Sequence, residues 1–485
     1  SAHYAFKSRY IADFSIRRDG TTKFGDNKRW GNFPALSFRW NVVDEPWMRG
    51  TQKWLSMLSL RPGWGRVGSQ PTDEYLFFSK YTGTDSYNGA NSIYPSNIRL
   101  SNLQWEEKET WNVGFDLGLF NNMITADFNI YTQMTSKLLM RDVKLPSSSG
   151  FSSLSWTNVG KMRNNGWEFN VNGTDVVKVG KFRLGFNVTF ANNKNEIVEM
   201  DPTALSSLNK DFDNKNGSYL TRIQLNNPFG AIYGFRYKGV YQYSDYSDVE
   251  VPGVSGPNAP VARDENGNVI RDKAGFTIPM VFGYDKTTNT ELYEFQGGDA
   301  IYEDINHDGN INELDIVYLG SSLPKITGGW GLKFSYGRWS LNAQFNFRVG
   351  NKVINEARMN AESMYNNNNQ AASVNWRWRT EGQLAEIPRA LYNKGFNYLG
   401  SDRFVEDASF MRLNYLSLGY SLNPKLLRRI GVTSLSINLN ASNLFCLTNY
   451  SGADPEVSYG GMNVATDGAK TPRSRQFTAR VQIGF

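Results

Sequence analysis

QFTARVQIGF, residues 476–485, alternates apolar side chains with polar residues or glycine over its whole length. Alternate side chains of a β-strand point to opposite faces, so this stretch has one apolar face and one polar face. A tilted strand needs about ten residues to cross a lipid bilayer. The stretch therefore predicts a membrane-spanning β-strand.

The same alternation recurs along most of the chain. The segments that show it are residues 4–16, 36–42, 53–67, 111–119, 124–130, 167–171, 182–190, 330–336, 339–347, 416–422, 435–441 and 477–485. Aromatic residues such as Trp40, Trp111 and Trp330 recur near segment ends, as they do at membrane–water interfaces. We predict an all-β fold, a transmembrane antiparallel up-and-down β-barrel with about twelve strands in this chain.

The composition argues against several other classes of protein. A single cysteine, Cys446, excludes internal disulfides, and two histidines leave little material for histidine catalysis or a zinc site. The sequence has no run of 18 apolar residues, so we expect no transmembrane helix. No pair of nucleophile and base stands out, and we predict that the chain is not an enzyme. Glycoside hydrolysis, which needs only two carboxylates, stays open on the residues alone. The net charge of +6 is modest for this length, and we predict no nucleic-acid partner.

The segments are joined by two kinds of connection. Tight turns such as 121–122 and 337–338 alternate with long polar stretches at about 134–165, 192–325, 351–409 and 445–475. Short turns on one side and long loops on the other are typical of outer-membrane barrels, where the long loops are extracellular. A soluble sandwich or propeller also alternates, but its strands are usually five or six residues long. Only 192–325 is long enough for a separate soluble domain, and we find no repeated strand pattern in it.

Residues 304–315 (DINHDGNINELD) follow the twelve-residue calcium-loop pattern. The candidate ligands are Asp304, Asn306, Asp308, Asn310 (through its backbone carbonyl), Asn312 and Asp315. Gly309 stands where the sharp turn of such a loop requires glycine. Aspartate replaces the usual glutamate at the last position, and its shorter side chain weakens bidentate binding. The sequence therefore predicts a possible Ca²⁺ site in a long loop, with a turn stabilised without metal as the alternative.

A second candidate site is Trp376-Arg377-Trp378-Arg379, in the 351–409 stretch. Indole faces stack on sugar rings, and guanidinium groups donate paired hydrogen bonds to hydroxyls or carboxylates. These properties suit a substrate-binding surface. The alternative is that the four side chains pack their loop against its neighbours.

Several motifs together resemble one family, the SusC-like (RagA-like) TonB-dependent outer-membrane transporters of Bacteroidetes. They are residues 16–25 (IRRDGTTKFG), 105–106 (WE), 112–116 (NVGFD), 158–166 (NVGKMRNNG), 401–407 (SDRFVED), 441–445 (ASNLF) and 454–456 (DPE). The resemblance implies a barrel of roughly 22 strands with an N-terminal plug and a TonB-contacting segment. Residues 1–485 would then be the C-terminal portion of the barrel, with the plug absent from this chain.

The resemblance also implies a function. It points to TonB-dependent import of nutrient oligomers across the outer membrane, with glycans the more frequent cargo and peptides the next. A SusD-like surface lipoprotein would form a lid, the TonB complex would drive uptake, and two such pairs would assemble as a dimer in the lipid. Similar Asp/Asn-rich loops occur in the family. The residues alone leave two alternatives open, a passive porin and a surface adhesin on a barrel anchor.

Overall fold

The computed structural model describes residues 1–87, 90–209, 215–220, 222–243, 260–283, 293–427, 431–458 and 464–485. Parts of the predicted loops 192–325 and 445–475 lie outside these ranges. Among the described residues, none of the helices has the length and apolar character needed to cross a bilayer.

In the part of the chain that the structure describes, thirteen antiparallel strands form the main sheet. They are β1 (Ala2–Phe6), β2 (Tyr10–Gly20), β3 (Trp30–Asn41), β4 (Leu55–Ser69), β5 (Glu106–Leu119), β6 (Ile124–Ser136), β7 (Gly160–Val179), β8 (Phe182–Met200), β9 (Ile326–Tyr336), β10 (Trp339–Val349), β11 (Phe410–Ser421), β12 (Ser434–Thr448) and β13 (Gln476–Gly484). Each strand pairs with the strand before it and the strand after it in the sequence. This order confirms the predicted up-and-down β fold. Within the described residues, β1 and β13 each have a neighbour on one side only.

The first predicted segment, 4–16, is two strands rather than one. The chain turns at Lys7 and Ser8, which both have positive φ (51° and 55°), and Phe6 then pairs with Tyr10. Because Phe6 and Tyr10 are an even number of residues apart, the apolar alternation runs through the turn unchanged. The pattern therefore hid the turn, and the sheet has one strand more than the segments counted from the sequence.

The connections differ in length between the two ends of the sheet. One end, the short-turn end, carries residues 7–9, 42–54, 120–123, 180–181, 337–338 and 422–433. The other, the long-loop end, carries residues 21–29, 70–105, 137–159, 201–325, 350–409 and 449–475. Asn121 and Asn122 have φ of 56° and 60°, as their predicted tight turn requires. The five longest connections thus share one end of the sheet.

Several predicted loop bounds fall inside strands. Residues 160–165 belong to β7, 192–200 to β8 and 445–448 to β12. The ladder continues through polar pairs such as Asn165 with Lys194, which an apolar pattern does not detect. The connection 70–105 is a further long loop that the sequence analysis did not separate.

The two faces of the sheet differ in chemistry. One face, the apolar face, leaves large side chains such as Trp111, Phe115, Ile130, Phe477 and Val481 exposed. The opposite face, the polar face, carries charged and amide side chains on the same strands. Exposed apolar side chains are normally scattered, whereas here they recur from strand to strand. Such a face needs an apolar surrounding.

Glu109 marks the edge of the apolar face at the long-loop end. Its carboxylate accepts hydrogen bonds from Trp64 Nε1 at 2.8 Å and from Trp111 Nε1 at 3.2 Å. Arg66 Nη2 lies 3.1 Å from the same carboxylate. The indole rings therefore extend the apolar face while their N–H groups meet the charges beyond it, as at a membrane–water interface.

Glu45 has the same role at the short-turn end. It lies in the connection 42–54 and accepts hydrogen bonds from Tyr10 Oη (2.5 Å) and Trp40 Nε1 (3.0 Å). Arg9 Nη1 is 3.5 Å from its second carboxylate oxygen. Hydrogen bonds from Tyr10 and Trp40 keep the pKa of Glu45 below its usual value, so this carboxylate is charged at neutral pH. Both ends of the apolar face are thus closed by a carboxylate that holds two aromatic residues.

The long loops have a hydrophobic core of their own. Its members are Phe235, Tyr241, Ala262, Met280, Phe282, Phe295, Ala300, Tyr302, Ile311 and Leu399. Leu399 comes from the connection 350–409 and the others from 201–325. We call this cluster the loop core. It packs the two longest connections together as one unit outside the sheet.

A tandem repeat that the sequence analysis missed packs against the loop core through Ile270 and Ile278. Residues 263–270 (RDENGNVI) and 271–278 (RDKAGFTI) each form a turn in which the aspartate Oδ1 accepts a backbone hydrogen bond. Asp264 accepts from Asn268 N and Asp272 from Phe276 N, both at 2.8 Å. The repeat consists of turns closed by isolated bridges, Arg263 with Val269 and Arg271 with Thr277, and not of strands. The expectation that 192–325 has no repeated strand pattern therefore stays a prediction.

We predict that arginine on the apolar face destabilises the protein far more than arginine on the polar face. Phe115→Arg places a charge midway along the apolar face of β5, at an expected cost of about 2–4 kcal/mol in a bilayer. Asn112→Arg, on the polar face of the same strand, is the matched control and should cost less than about 1 kcal/mol. Urea unfolding in phospholipid vesicles measures both; equal effects would contradict the assignment of the two faces.

Candidate ligand-binding surfaces

A hydrogen-bonded cluster on the polar face is centred on Asp116 of β5. Arg61 Nη2 lies 2.7 Å from Oδ1, and Arg39 Nη2 lies 3.1 Å from Oδ2. Ser59 donates its hydroxyl to Oδ2 at 2.8 Å. The carboxylate of Asp116 thus joins side chains from β3, β4 and β5 and neutralises part of their positive charge.

Amide side chains continue the polar face across the sheet. Asp127 Oδ1 accepts hydrogen bonds from Asn129 Nδ2 and Asn170 Nδ2, each at 3.2 Å. Farther along, Gln344 Nε2 donates to Asn187 Oδ1 at 3.2 Å. A face built from ion pairs and amides suits a water-filled interior that carries polar solutes.

A buried ion-pair network organises the connection 350–409. Glu362, on a short helix at Glu356–Glu362, lies 2.8 Å from Arg403 Nη2 and 3.2 Å from Arg358 Nε. Arg358 Nη1 also lies 3.1 Å from Glu406 Oε1. The Glu362 and Arg403 side chains are nearly fully buried. Because an unpaired buried charge is costly, each partner fixes the other, and the network holds this loop in one shape.

A second network ties the connection 449–475 to the sheet. Arg412 of β11 lies 2.6 Å from Asp454 Oδ1, and its Nε lies 3.6 Å from Glu456 Oε2. Arg473 Nη2 reaches the other Glu456 oxygen at 2.8 Å. The motif at 454–456 therefore anchors the connection 449–475 to β11 of the sheet. Sequence reasoning missed Arg412, because its partners lie about 40 positions away and nothing local indicates the pairing.

The predicted substrate residues 376–379 do not share one environment. Trp376 is 78% exposed, and Arg377 and Arg379 are also exposed or partly exposed. Trp378 is only 5% exposed, donates Nε1 to Gln242 at 3.1 Å and packs edge-on against Tyr243. Its ring is therefore part of the loop packing and has no free face for a ligand. Trp376, Arg377 and Arg379 stay candidates for ligand contact.

The Asp304–Asp315 segment folds as a tight loop around its own carboxylates. Asp304 Oδ2 accepts from Gly309 N at 2.8 Å, and Asp308 Oδ1 accepts from Asn310 N at 2.8 Å. Asp315 is fully buried, and its two oxygens accept from the backbone amides of Ile305 and Asn312, both at 2.8 Å. Gly309 and His307 have positive φ, as the sharp turn demands. The residues thus turn their oxygens inward.

Electrostatics in this loop shows how close the carboxylates are. Burial, together with the smaller effect of the charges of Asp304 and Asp308, raises the pKa of the Asp315 carboxyl to about 6. Among the described residues, no three Asp, Glu, His or Cys side chains already converge on one point as metal ligands. A cation here would draw on asparagine and backbone oxygens as well, which is the donor chemistry that Ca²⁺ prefers.

The loop core positions the Asp304–Asp315 segment. Val281 N donates to Gly309 O at 2.9 Å, and Gly283 N donates to Ile311 O at 3.0 Å. Ile311 is fully buried in the loop core. A Cβ on Gly309 would come within 2.6 Å of the Ala262 side chain, so only glycine fits against the tandem repeat. The segment is thereby fixed to the unit above the sheet.

Comparison with known proteins identifies relatives of the chain. A sequence model of the family described as TonB dependent receptor-like, beta-barrel, matches residues 1–278. TonB-dependent receptor P39 of Formosa agariphila is 28% identical over 99% of this chain and 45% of its own length. TonB-dependent receptor SusC of Bacteroides thetaiotaomicron is 25% identical over 100% of this chain and 43% of its own. The chain therefore spans less than half the length of these relatives.

Solved structures share the fold. The structure of the RagAB peptide transporter superposes with a TM-score of 0.75 at 24% identity, over 100% of this chain and 47% of that one. The same transporter in its open-open state gives a TM-score of 0.72 at 23% identity, with 100% and 46% coverage. At this identity the likeness shows the arrangement of strands and loops.

We predict that Glu362→Gln loosens the connection 350–409 without unfolding the sheet. The substitution removes a charge that balances Arg358 and buried Arg403, at an expected local cost of about 3 kcal/mol. Hydrogen exchange of the backbone amides within 350–409 should accelerate by about a hundredfold. Glu356→Gln, in the first turn of the same helix, changes a residue outside the Glu362, Arg358, Arg403 and Glu406 network and should leave exchange unchanged. Unaltered exchange in Glu362→Gln would contradict the structural role of the network.

Proposed function

The chain belongs to the TonB-dependent receptor-like β-barrel family, and from this we propose that it forms part of an outer-membrane importer of nutrient oligomers. Members of this family are outer-membrane receptors and transporters rather than enzymes. The observation that carries the proposal is the two-faced sheet: an apolar face bounded by aromatic residues at both ends, and a hydrogen-bonded polar face. Such a wall separates lipid from a polar passage.

The proposed cargo is an oligomer that offers both apolar faces and hydrogen-bond acceptors. Exposed Trp376 supports this, since an indole stacks on a sugar ring or a peptide side chain. We place glycans first and peptides second. Because the RagAB peptide transporter shares this fold, peptides are included in the test.

The proposed partners follow from the relatives. SusC and the RagAB structure support a SusD-like lipoprotein as a lid over the long-loop end. We also propose, from the family resemblance alone, that two such pairs assemble as a dimer. We propose that the TonB complex drives uptake through a part of the protein that precedes the strands described here. A passive porin would need a closed barrel, and within the described residues β1 and β13 do not pair with each other.

We further propose that the Asp304–Asp315 loop binds Ca²⁺. The donors would be Asp304, Asn306, Asp308 and Asp315, with the backbone carbonyl of Asn310 and the side chain of Asn312. Buried Asp315 supports this, because three nearby carboxylates repel one another until a cation balances them. Bound calcium would stiffen the loop that closes the loop core. It would have a structural role, without any part in transport chemistry.

Uptake of labelled oligomers by cells tests the import proposal. Cells with the protein should accumulate a maltodextrin-type glycan ladder or a peptide mixture, and a protonophore should abolish uptake, because TonB action needs an energised inner membrane. Trp376→Ala should weaken binding of the transported oligomer about tenfold, a loss typical of one stacking contact. Leu384→Ala, a 99% exposed residue of the same connection, is the control. Uptake that persists without energy would indicate a porin.

Calorimetric titration with CaCl₂ tests the calcium proposal. We expect one site per chain whose affinity falls about tenfold for Asp308→Asn. Because Asp315 must lose its proton to bind the metal, affinity should also fall below about pH 6, the pKa of that carboxyl, by about tenfold per pH unit. Asp272→Asn, in the tandem repeat, is the control. No heat of binding at pH 7.5, with unchanged protease resistance in a chelator, would refute the site.

A further inference from the structure

A wide groove crosses the apolar face of strands β3 to β8. Its volume is about 800 Å³, and its lining includes Leu36, Pro62, Trp64, Val113, Ile130 and Trp167. These residues lie on the face that points away from the Asp116 cluster. The groove therefore opens toward lipid, and none of the surfaces proposed above for cargo or calcium includes it.

Pro62 lines the groove and interrupts the strand pairing beneath it. Proline has no backbone N–H to donate to a ladder and is rare inside central strands. The pairing of β3 with β4 runs from Ala35 to Ser37, skips Phe38 and Arg39, and resumes at Trp40. The gap coincides with Pro62, whose ring is smaller than the Leu60 and Trp64 side chains on either side of it on the apolar face. Trp64 and Trp167 stand around the depression.

The groove ends in polar and charged groups at the long-loop end. Thr132 donates its hydroxyl to Asn165 Oδ1 at 2.6 Å. Lys194 beside them has a side chain that is 72% exposed, with its Nζ 3.5 Å from Glu196 Oε2. Arg163 lies 3.1 Å from the other oxygen of Glu196, so these three side chains carry a net charge of +1. An occupant would therefore have an apolar body in the groove and a polar head at this rim.

We propose that the groove binds an acyl chain of a phosphorylated glycolipid of the outer leaflet, with its anionic head at Lys194 and Arg163. Only molecules dissolved in the membrane reach this face. The long-loop end is extracellular in the proposed importer, so the head groups at that level belong to the outer leaflet. With two cations to one carboxylate, the rim favours an anionic head group such as a phosphate. A second copy of the chain is the other candidate occupant, and the experiments below separate the two.

Native mass spectrometry of the protein extracted from outer membranes in mild detergent tests the proposal. The protein should retain a phosphorylated, acylated glycolipid. Val113→Trp fills the groove and should lower the retained fraction about tenfold. Leu418→Trp adds the same bulk to the apolar face of β11, away from the groove, and should leave retention unchanged. Heat-dependent gel mobility reports whether each variant is folded.

The rim is tested by charge reversal. Lys194→Glu should lower retention of the phosphorylated lipid at least threefold, while Lys181→Glu, in the turn at the short-turn end, should not. Three results would overturn the proposal: no lipid on the unaltered protein, equal losses in Val113→Trp and Leu418→Trp, or loss of self-association in Val113→Trp with lipid retained, which would assign the groove to a second copy. The import experiments do not depend on any of these results, so the two proposals fail separately.

Discussion

The structure depends on the requirement that every backbone N–H and C=O at membrane depth finds a partner within the protein. Unpaired groups in hydrocarbon cost several kcal/mol each, so a strand at membrane depth must be paired along its length. Within the described residues, thirteen strands pair in this way, except along the outer edges of β1 and β13. Because successive side chains of a strand point to opposite faces, lipid-facing and interior-facing residues alternate along each strand. Pro62 shows what a missing donor does. It has no backbone N–H, and the pairing of β3 with β4 is interrupted there.

The sequence predicted the features that depend on this period and missed those that do not. The apolar alternation located nearly all of the main sheet and the difference between its two ends. It joined β1 to β2, because Phe6 and Tyr10 keep the same phase across their turn. It missed the polar ends of β7 and β8, where pairing continues without apolar side chains. Contacts between distant positions, such as Arg412 with Asp454, leave no local trace in a single sequence.

The candidate sites were predicted unevenly for a related reason. A calcium-type loop is a local pattern, and the structure folds residues 304–315 as a tight turn with inward oxygens. Whether a loop tryptophan is free or buried depends on which other segment packs on it. Trp376 and Trp378 are two positions apart, yet Gln242 and Tyr243 cover only Trp378. The sequence showed which side chains 376–379 offer to a ligand, but it did not show which of them are exposed and which are buried.

The two carboxylate–aromatic clusters have a mechanical consequence. Glu45 with Arg9 and Glu109 with Arg66 stand at opposite ends of the apolar face. Displacement along the membrane normal in either direction would drag one charged pair into hydrocarbon, at a penalty of several kcal/mol for each ion. The two clusters therefore fix the depth of the sheet in the membrane from both sides.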